Sequence, residues 1–548
     1  MNAHPRPYYY LENFRLALAW LAERYGDLLS AEEREFITNF ESLPLASSAL
    51  LVRMLMRQGD LFRTSKLVYA EIGCPLQAAR PLIELGWIDA RPRMTLQELC
   101  RLLRKTELWH AFALTGEARA ARKVEIPQVL GQRAAEVWPL EQWWGDAPDT
   151  VYRVSVAGLC ERLRLMFFGN FRQSWAEFVL ADLGIFRYEA VPIEGSARAF
   201  QHRDQIEQFH ALYRCRELLH AQASTEQVCA RLPPALPGCT WIEARRAKIQ
   251  FHIAQRHEQA RDLTAALAAY QDCAHPEARI RVVRVLERLG RIEDAVGFAT
   301  RVQAMSASEF ELQQLARILP RLHRKLGNPA MRASVPCGWE QLELSLPAPE
   351  GAQRVEQVVR DHLAAPDAPV VYAENGLLNS LFGLLCWKAI FAPVPGAFFH
   401  TFQAAPADLF DAQFATRRQH YFDACFAELE SGAYRTTIRE IFEQKAGIQS
   451  AFVAWGLLTR ELLELALACL PAVHLHACFK RLLADLRTNR CGLPDLVQFW
   501  PREQRYRLIE VKGPGDRLQD NQLRWLRFCS TEGMPVAVCT VRWQAACA

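Results

Sequence analysis

The chain has 548 residues, of which 50% are hydrophobic and 23% are charged, a composition typical of a folded protein with about two to four domains. The N-terminus lacks the basic and then apolar pattern of a secretory signal, and the most hydrophobic stretch, 377–399, is interrupted by Asn379, Lys388 and two prolines. Secreted and membrane-spanning classes are therefore not expected. The net charge of +4 is too small to establish a polyanionic partner.

Sixteen cysteines lie scattered between Cys74 and Cys547, and none forms a C-x-x-C pair. Disulfide frameworks and structural zinc sites need clustered cysteines. We therefore expect buried, reduced thiols.

The first part of the chain, residues 1–70, is predicted to be helical, with a capping box at Ser30 and Glu33. Residues 50–69 form a basic helical segment in which Arg53 and Arg57, four residues apart, share one face. A second capping box, Thr95 with Glu98, opens the segment 95–112. The two basic clusters that we predict to bind DNA are Arg53, Arg57, Arg63 and Lys66 in the first segment and Arg101, Arg104 and Lys105 in the second. Each cluster alone could be a solvated helix face, but two in one region favour a surface that follows phosphates.

Residues 118–200 alternate helical patches with loops, and 201–344 are strongly helical. The motifs ARRAK (244–248) and ARIRV (278–282) lie 34 residues apart, a spacing that resembles a tetratricopeptide helical pair. Proline, glycine and alanine are then concentrated in 344–369, and strands are predicted among the helices that follow. We place a domain boundary near residue 345.

The segment that carries chemistry is 492–528. Two apolar runs on either side of 501–504 predict a β-hairpin, and pairing Trp500 with Arg505 places Asp495 directly opposite Glu510. Opposed side chains have Cβ atoms about 4.5–5.5 Å apart. Lys512 projects from the same face as Glu510, because side chains alternate along a strand.

Two carboxylates about 5 Å apart repel each other by roughly 3 kcal/mol at an effective dielectric of about 20. Lys512 offsets one charge, and a divalent cation explains the pairing better. Oxygen ligands favour Mg²⁺ or Mn²⁺ over zinc. A metal held by Asp495, Glu510 and the Val511 carbonyl could activate water and polarise a phosphate, with Lys512 beside it. The alternative is an ordinary hairpin with surface charges, but charges at the end of buried strands argue against it.

The surrounding elements fit an α/β core. After the hairpin, Arg517 and Gln522 precede a helix over 523–529, and 536–541 is predicted to be a strand. Upstream, a short strand leads into an apolar helix, with Glu374 at its head as a third carboxylate.

PD at 494–495, followed by EVK at 510–512, resembles the PD-(D/E)-x-K nuclease motif, and GLPDLVQFW with LIEVKGPGDRL resembles its VRR-Nuc branch. Four further segments resemble segments of the Fanconi-associated nuclease family and occur in the same order as in that family. They are the basic segment at 50–69, the helical repeat, YAENGLLNSLFGLLCWKAIF and PGAFFHTFQAAPADLF. The resemblance covers nearly the whole chain.

The resemblance implies a mainly α-helical N-terminal two-thirds followed by a C-terminal α/β restriction-endonuclease-like domain with a mixed central sheet. The implied domains are an N-terminal DNA-binding region (1–70), a SAP-like domain (71–117), a helical linker (118–200), a TPR-like repeat domain (201–344) and the VRR-Nuc domain (345–548). The implied activity is that of a metal-dependent deoxyribonuclease of the phosphodiesterase I type. Such an enzyme is a structure-selective 5′-flap endonuclease and 5′-exonuclease in DNA repair, including interstrand crosslink repair, and requires one or two Mg²⁺ or Mn²⁺ ions.

By motif, the resemblance makes Glu374, Asp495 and Glu510 metal ligands together with the Val511 carbonyl, and it makes Lys512 the catalytic lysine. Gln403, within FHTFQAAPADL, is implied as a supporting residue beside the metals. We also predict Gln522 as a supporting residue and Arg517 as a DNA contact.

The sequence departs from eukaryotic members of the family in one respect, because it contains no ligand set for their ubiquitin-binding zinc finger. It therefore resembles a bacterial-type member, and we expect it in the cytoplasm with the nucleoid, or in the nucleus if the source is eukaryotic. The alternatives are a Holliday-junction resolvase or restriction-type nuclease on the same core, and a repeat-protein scaffold with an inactive nuclease domain.

Overall fold

The structure is a computed structural model, and it describes residues 7–133, 135–182, 184–195, 197–306, 308–328, 338–349 and 351–544. The start of the N-terminus compared above with a secretory signal, and Cys547, lie outside these ranges. The chain forms two compact units, one of residues 1–187 with 193–206 and the other of residues 188–192 with 207–548.

The first unit is mainly helical, as predicted. Its helices are α1 (Tyr9–Tyr25), α2 (Ala31–Ser42), α3 (Leu45–Leu55), α4 (Pro75–Glu84), α5 (Leu96–Leu102), α6 (Lys105–Ala111), α7 (Gly116–Ala120), α8 (Ile126–Val129), α9 (Leu140–Trp143), α10 (Ala157–Phe168) and α11 (Glu177–Asp182). Its strands are β1 (Leu61–Arg63), β2 (Ile88–Asp89), β3 (Met94–Thr95), β4 (Val137–Trp138) and β5 (Val151–Val154). Strand β5 pairs with both β1 and β2, and β3 pairs with β4.

Both predicted capping boxes are confirmed: Ser30 and Glu33 cap α2, and Thr95 and Glu98 cap α5. The prediction of one basic helix over 50–69 is wrong, because α3 ends at Leu55 and the chain turns through Gly59, whose φ is +85°, into β1. Arg57 lies beyond the helix, so it does not share a helix face with Arg53. The segment 95–112 is likewise divided, between α5 and α6.

The helical array predicted for the middle of the chain is present. It comprises α12 (Arg203–His220), in which the boundary between the units falls, and then α13 (Thr225–Cys229), α14 (Thr240–Gln259), α15 (Leu263–Gln271), α16 (Ala278–Arg288), α17 (Ile292–Met305) and α18 (Glu309–Lys325). From α14 to α18 each helix packs against the next in the chain, as in a helical repeat. The two matching motifs lie within α14 and at the start of α16.

The C-terminal domain is an α/β structure around one sheet. Its strands are β6 (Glu340–Leu346), β7 (Val370–Tyr372), β8 (Leu496–Trp500), β9 (Arg505–Lys512) and β10 (Val536–Trp543). Its helices are α19 (Val355–Leu363), α20 (Leu377–Leu385), α21 (Trp387–Ile390), α22 (Gln419–Ser431), α23 (Tyr434–Gln444), α24 (Arg460–Cys469), α25 (Ala472–Ala484), α26 (Leu486–Asn489) and α27 (Asp520–Thr531).

The strand order is β6-β10-β9-β8-β7. Strand β10 runs parallel to β6 and β9, whereas β8 runs antiparallel to β7 and β9, so the sheet is mixed as expected. The predicted boundary at 345 cuts through β6, and the sheet therefore begins before that residue.

The predicted hairpin register is confirmed, with Trp500 opposite Arg505 and Leu496 opposite Ile509. Along β8 and β9, alternate side chains pack into two different cores: Val497 and Leu508 on one face, Leu496 and Ile509 on the other. The apolar runs are nearly continuous because both faces of the sheet are buried.

Within the described ranges the cysteines are free thiols, as expected, and most are buried, but Cys74, Cys229 and Cys491 are exposed, contrary to the prediction. No single described helix is long and apolar enough to span a membrane, and α24 with α25 passes such a test only as a pair bent by 109°.

Candidate active site

The acidic pair, Asp495 and Glu510, lies at the start of β8 and near the end of β9. Asp495 immediately precedes β8 and is 6% exposed, and Glu510 in β9 is fully buried. An oxygen of the Asp495 carboxylate accepts a hydrogen bond from the Val511 amide at 2.9 Å. This bond fixes Asp495 against the strand that carries Glu510 and Lys512, so the structure brings these three residues together.

Backbone hydrogen bonds hold Glu374 next to Asp495. The Asp495 carbonyl accepts hydrogen bonds from the amides of Ala373 at 2.8 Å and Glu374 at 3.2 Å, which continue the pairing of β7 with β8. The Glu374 side chain is exposed and accepts hydrogen bonds from the Tyr372 hydroxyl and, at 3.1 Å, from the side-chain amide (Nδ2) of Asn375.

Asn375 also ties this turn to the segment before Asp495. Its side-chain oxygen accepts a hydrogen bond from the Leu493 amide at 3.2 Å, and its own φ is +49°, a conformation that asparagine tolerates better than most residues. Sequence reasoning missed Tyr372 and Asn375. Their proximity to Glu374 was the available signal, but it does not reveal which way their side chains point.

Lys512 is bound to one oxygen of Glu510 and leaves the other free. The Lys512 ammonium lies 2.6 Å from Oε1 of Glu510. Oε2 of Glu510 is buried and has no hydrogen-bond partner among the described residues. An unsatisfied buried carboxylate oxygen is costly, and a bound cation would satisfy it.

The carboxylates of the site repel one another, and the Lys512 ammonium offsets part of this repulsion. Burial, and then the charge of Asp495, raise the pKa of Glu510 to about 8, although Lys512 lowers it. Burial is also the largest cause that raises the pKa of Asp495 to about 6, against the lowering effects of the Val511 amide and Lys512. Glu374 raises the pKa of both groups, so all three carboxylates interact.

The residues present fit a hard divalent cation, because the available donors are carboxylate oxygens and one buried oxygen lacks a partner. Among the described residues, no three acidic, His or Cys side chains already form a closed ligand set. The contacts give the reason: Lys512 holds Glu510, while Tyr372 and Asn375 hold Glu374. The backbone brings Glu374, Asp495 and Glu510 together, and their side chains would have to turn toward a cation to bind it.

Three family models match the chain: the FAN1 HTH domain over residues 8–89, the Fanconi anemia-associated nuclease SAP domain over 93–143 and the VRR-NUC domain over 429–543. The Fanconi-associated nuclease 1 homolog of Pseudomonas aeruginosa is 50% identical over 541 residues, which cover 99% of this chain and 97% of that protein. This chain belongs to the Fanconi-associated nuclease family. The homolog from Arabidopsis thaliana is 24% identical over 99% of the chain and 68% of its own length.

The structural likeness is equally extensive. The crystal structure of paFAN1 bound to 2-nucleotide 5′-flap DNA with a gap matches with a TM-score of 0.94 and 50% identity, over 99% of this chain and all of that one. A second crystal structure, with a 1-nucleotide flap, gives a TM-score of 0.93. The chain is therefore a DNA nuclease with the fold of the Fanconi-associated nuclease family, and this family's VRR-NUC domain depends on a divalent metal.

The two glutamines that the family resemblance singled out support backbone in this structure. Gln403 is buried, accepts hydrogen bonds from the amides of Phe399 and His400, and donates to the carbonyls of Ala397 and Ala405. Gln522 accepts a hydrogen bond at 2.8 Å from the Gln519 amide and so caps α27. Both amides brace loops of the nuclease domain.

Two of the predicted DNA contacts are engaged within the protein. Arg63 is paired with Glu107 at 2.7 Å and with Asp149 at 2.9 Å, and its side chain is 11% exposed. Arg53 is paired with Glu71 and stacks over the Tyr10 ring at 3.9 Å. Their charges are offset by carboxylates more than 15 residues away along the chain, which local sequence reasoning could not find.

Most of the other residues predicted to contact DNA are exposed to solvent. Arg57, Lys66, Arg101, Arg104 and Arg517 are exposed. Arg57 donates to the Lys66 carbonyl at 3.2 Å, and Lys105 is half-buried, with its ammonium 3.3 Å from the Ala120 carbonyl. These bonds use carbonyl groups rather than carboxylates, although the charge of Lys105 also contributes to the lowered pKa of Glu125.

A cavity of about 590 Å³ lies between α12 and α14, and sequence reasoning missed it. Its charged lining residues are all basic: Arg216, Arg245, Lys248 and Arg256, beside His220 and His252. The spacing of these residues on two helices gave no recognisable motif.

Proposed function

We propose that this nuclease cleaves DNA that carries a 5′ flap, with Glu374, Asp495, Glu510 and Lys512 as its catalytic residues. The observation that carries the proposal is the Asp495 bond to Val511 next to the Lys512–Glu510 pair, which places two buried carboxylates and an ammonium at one end of the hairpin. The flap preference is proposed from the relative paFAN1, whose structures contain 5′-flap DNA.

The metal is proposed to be Mg²⁺ or Mn²⁺, held by Glu374, Asp495 and Glu510 together with the Val511 carbonyl. Carboxylate and carbonyl oxygens are the ligands that these ions prefer. When bound, such an ion lowers the pKa of a coordinated water and polarises a phosphate.

Lys512 has two roles in this proposal. Its ammonium holds Glu510 in place, and it offsets negative charge that develops on the phosphoryl oxygens during attack by water. Asp495 stays ionised more readily than Glu510, because the Val511 amide stabilises its carboxylate. Burial of both acids excludes bulk water from their side of the site.

For DNA binding, we propose that phosphates contact the exposed bases of the first unit, Arg57, Lys66, Arg101, Arg104 and Lys105, and also Arg517 of the nuclease domain. The basic cavity between α12 and α14 offers further cations for a DNA backbone. Gln403 and Gln522 are proposed to act indirectly, by holding loops in place.

The test of the catalytic residues is to replace Asp495 or Lys512 by alanine. Each variant should lose cleavage of a 5′-flap substrate in Mn²⁺ while its affinity for the same flap in EDTA stays within about twofold of wild type. Asp361→Ala, an exposed acid in the same domain, is the control. Loss of binding together with cleavage would show that the residues support the fold rather than the reaction.

Substrate preference distinguishes the proposed flap nuclease from a Holliday-junction resolvase or a restriction-type nuclease on the same core. Cleavage positions mapped on a 5′ flap, a four-way junction and a plain duplex should show a preference for the flap, and a 5′-phosphorylated single strand should reveal any 5′-exonuclease activity. An inactive scaffold would cut none of them. We further propose interstrand crosslink repair on the chromosome in a bacterial cytoplasm, since the Pseudomonas relative is bacterial.

A further inference from the structure

The helical array is joined to the nuclease domain at the start of α27. Helices α13 to α18 and the nuclease domain belong to the same compact unit, and α18 packs against α27. The carboxylate of Asp520, in the first turn of α27, forms an ion pair with Arg317 of α18 and accepts a hydrogen bond from the Gln314 side chain. The Asp520 carbonyl accepts another hydrogen bond, from the Gln313 side chain at 3.1 Å. One residue of the nuclease domain therefore binds three residues of the array.

The two glutamines of α18 are themselves held in place. Gln313 and Gln314 are each 8% exposed. The side-chain oxygen of Gln314 accepts a hydrogen bond from Arg284 of α16 at 2.6 Å, and that of Gln313 accepts one from Arg524 of α27 at 2.7 Å. Both the oxygen and the nitrogen of each side-chain amide are thus hydrogen-bonded. A buried polar network in which the groups have partners is rigid, so it can fix the position of α27.

The same turn of α27 lies against the segment that leads to Asp495. A Cβ on Gly492 would lie 2.8 Å from the backbone carbon of Asn521, the residue after Asp520. Gly492 is three residues before Asp495 in the chain. The connection to the array and the contact with this segment are therefore made by neighbouring residues of one helical turn, and a shift of that turn would displace the segment.

A second connection between α18 and α27 runs through Arg481 of α25. Arg481 is paired with Glu309 of α18 at 2.7 Å, and its guanidinium lies 5.1 Å from the ring centre of Trp525 in α27. The Trp525 indole donates a hydrogen bond to the Asn489 carbonyl at 3.2 Å. This connection does not involve Asp520, so the array should stay attached to the nuclease domain when the contacts of Asp520 are removed.

Two simpler explanations of the Asp520 contacts can be tested separately. An acidic residue in the first turn of a helix interacts favourably with the helix dipole. That interaction needs no partner on α18, so it does not account for two buried glutamines and an arginine that bind one residue. The contacts could also do no more than stabilise the junction, and a melting temperature measures that effect.

We propose that Asp520 is a positioning residue for the nuclease reaction. Its contacts with α18 fix the first turn of α27, and that turn holds the segment 489–493, which places Asp495. In this way the helical array contributes to the geometry of the active site as well as to DNA binding. The inference rests on the proposed function, because it assumes that Asp495 is a catalytic metal ligand.

The first experiment removes the contact from its two sides. Asp520→Ala should lower kcat for flap cleavage roughly tenfold at unchanged KM, because a displacement of about 1 Å at a catalytic group can cost about 100-fold. Arg317→Ala should lower kcat by roughly threefold, since a half-exposed ion pair contributes less. The double variant should be no slower than Asp520→Ala, because both changes remove the same contact. Arg317→Lys keeps the positive charge and should restore most of the rate.

The matched control is Arg321→Ala. Arg321 lies one turn beyond Arg317 on α18 and is also half-exposed and ion-paired, but its partner Glu287 belongs to the array. Its loss does not affect the contact with α27, so Arg321→Ala should cleave the flap at the wild-type rate. A loss of rate in Arg321→Ala equal to that in Arg317→Ala would contradict a specific role of the Asp520 contact.

Mn²⁺ binding to the metal-free full-length protein, without DNA, provides a readout that is independent of cleavage. In titrations followed by electron paramagnetic resonance, Asp520→Ala should bind Mn²⁺ roughly threefold more weakly, less than the tenfold or more that groups bonded to a metal ligand contribute. Arg321→Ala should bind like wild type. A lower melting temperature of Asp520→Ala with unchanged kcat and Mn²⁺ affinity would show that the contact only stabilises the junction, and would overturn the proposal.

Asp495→Asn separates this inference from the proposed function. If Asp495→Asn loses Mn²⁺ binding and cleavage while Asp520→Ala binds Mn²⁺ and cleaves like wild type, Asp520 has no positioning role and the proposed site stands. A higher KM at unchanged kcat in Asp520→Ala would assign the residue to DNA binding and refute the inference as well. If Asp495→Asn cleaves normally, the proposed function itself is wrong, and the inference fails with it.

Discussion

At the scale of single residues, the acidic pair shows how burial changes the carboxylates of the proposed metal site. Both pKa values are raised because the folded chain removes two carboxylates from water and places them near each other, although the Lys512 ammonium offsets part of this effect. An acid whose pKa is higher in the folded state binds its proton more tightly there. The metal-free protein therefore loses stability as the pH rises from the unfolded value near 4.5 toward the folded value of about 8 for Glu510.

We expect Mn²⁺ affinity to depend strongly on pH for the same reason. An ion that binds both carboxylates as proposed must displace the proton of Glu510 below pH 8 and that of Asp495 below pH 6. Apparent affinity should fall about tenfold per pH unit between pH 8 and pH 6, and more steeply below. Calorimetric titrations at half-unit intervals measure this slope. An affinity that stays constant from pH 6 to pH 8 would contradict a protonated Glu510.

Asp149 illustrates a residue with a structural role in the first unit. Burial alone would raise its pKa, but hydrogen bonds from Ser65, Thr64 and Arg63 outweigh burial and lower the pKa to about 2. Because the folded value lies below the unfolded one, the stabilisation is present above about pH 4 and is lost as the pH falls toward 2.

Asp149→Asn should therefore lower the free energy of unfolding by about 2 kcal/mol at pH 7, the size expected for a pKa lowered from 3.8 to about 2. Urea unfolding at pH 7 and pH 3 measures the difference, which should shrink at the lower pH. Asp146→Asn, three residues away and exposed, is the control. An equal loss at both pH values would show that the charge of Asp149 is not the cause.

At the scale of elements, α27 is fitted closely against the segment that leads to Asp495. Gly492 has a φ of +89°, and a Cβ there would lie 2.8 Å from the backbone carbon of Asn521 in α27. A side chain at this position would strain the backbone and also push α27 away. Gly533 also has a positive φ, +67°, but a Cβ there would meet nothing within 4 Å.

Gly492→Ala should consequently lower the melting temperature more than Gly533→Ala, which carries only the conformational cost of about 1–2 kcal/mol. Flap cleavage should fall in Gly492→Ala, because displacement of its segment moves Asp495. Thermal unfolding and initial cleavage rates of both variants provide the comparison. Equal losses of stability would show that the contact with Asn521 is unimportant.

The hairpin could be predicted because its information is local. Two apolar runs and a short turn determine a register, and this register, continued one residue beyond Leu496 and Ile509, predicts Asp495 opposite Glu510. The position of Glu374 was different: its strand pairs with β8 from more than 100 residues away, and only the family resemblance indicated that it joins the site. The pairing of β6 with β10 had no signal in the sequence, so the boundary was placed too late.

Ion pairs limited the prediction of DNA contacts in the same way. Arg63 belongs to a basic cluster in sequence, yet its partners Glu107 and Asp149 lie 44 and 86 residues away. An estimate that subtracts only the acids close in sequence therefore gives too high a value for the free positive charge. Arg101 and Arg104 are exposed and form no ion pair within the part of the chain that the structure describes, although the charge of Arg104 contributes to the lowered pKa of Glu107.

At the scale of the whole molecule, a net charge of +4 does not show where DNA binds, because the effective charge depends on which arginines lack acidic partners. Many arginines here are paired, as Arg321 is with Glu287 at 2.5 Å. Phosphate contacts made by unpaired arginines release counterions from DNA, and the logarithm of the binding constant then falls linearly with the logarithm of salt concentration.

The double variant Arg101→Ala, Arg104→Ala should bind flap DNA more weakly, and the slope of its salt dependence should decrease by roughly two, since each lost duplex phosphate contact contributes about 0.9. Arg321→Ala removes an equally large but paired side chain, so its slope should match that of wild type. Fluorescence anisotropy in EDTA from about 50 to 200 mM salt measures all three proteins. If the double variant keeps the wild-type slope, the first unit binds DNA elsewhere. A lost phosphate contact leaves the counterion bound to the DNA, and the slope must then decrease.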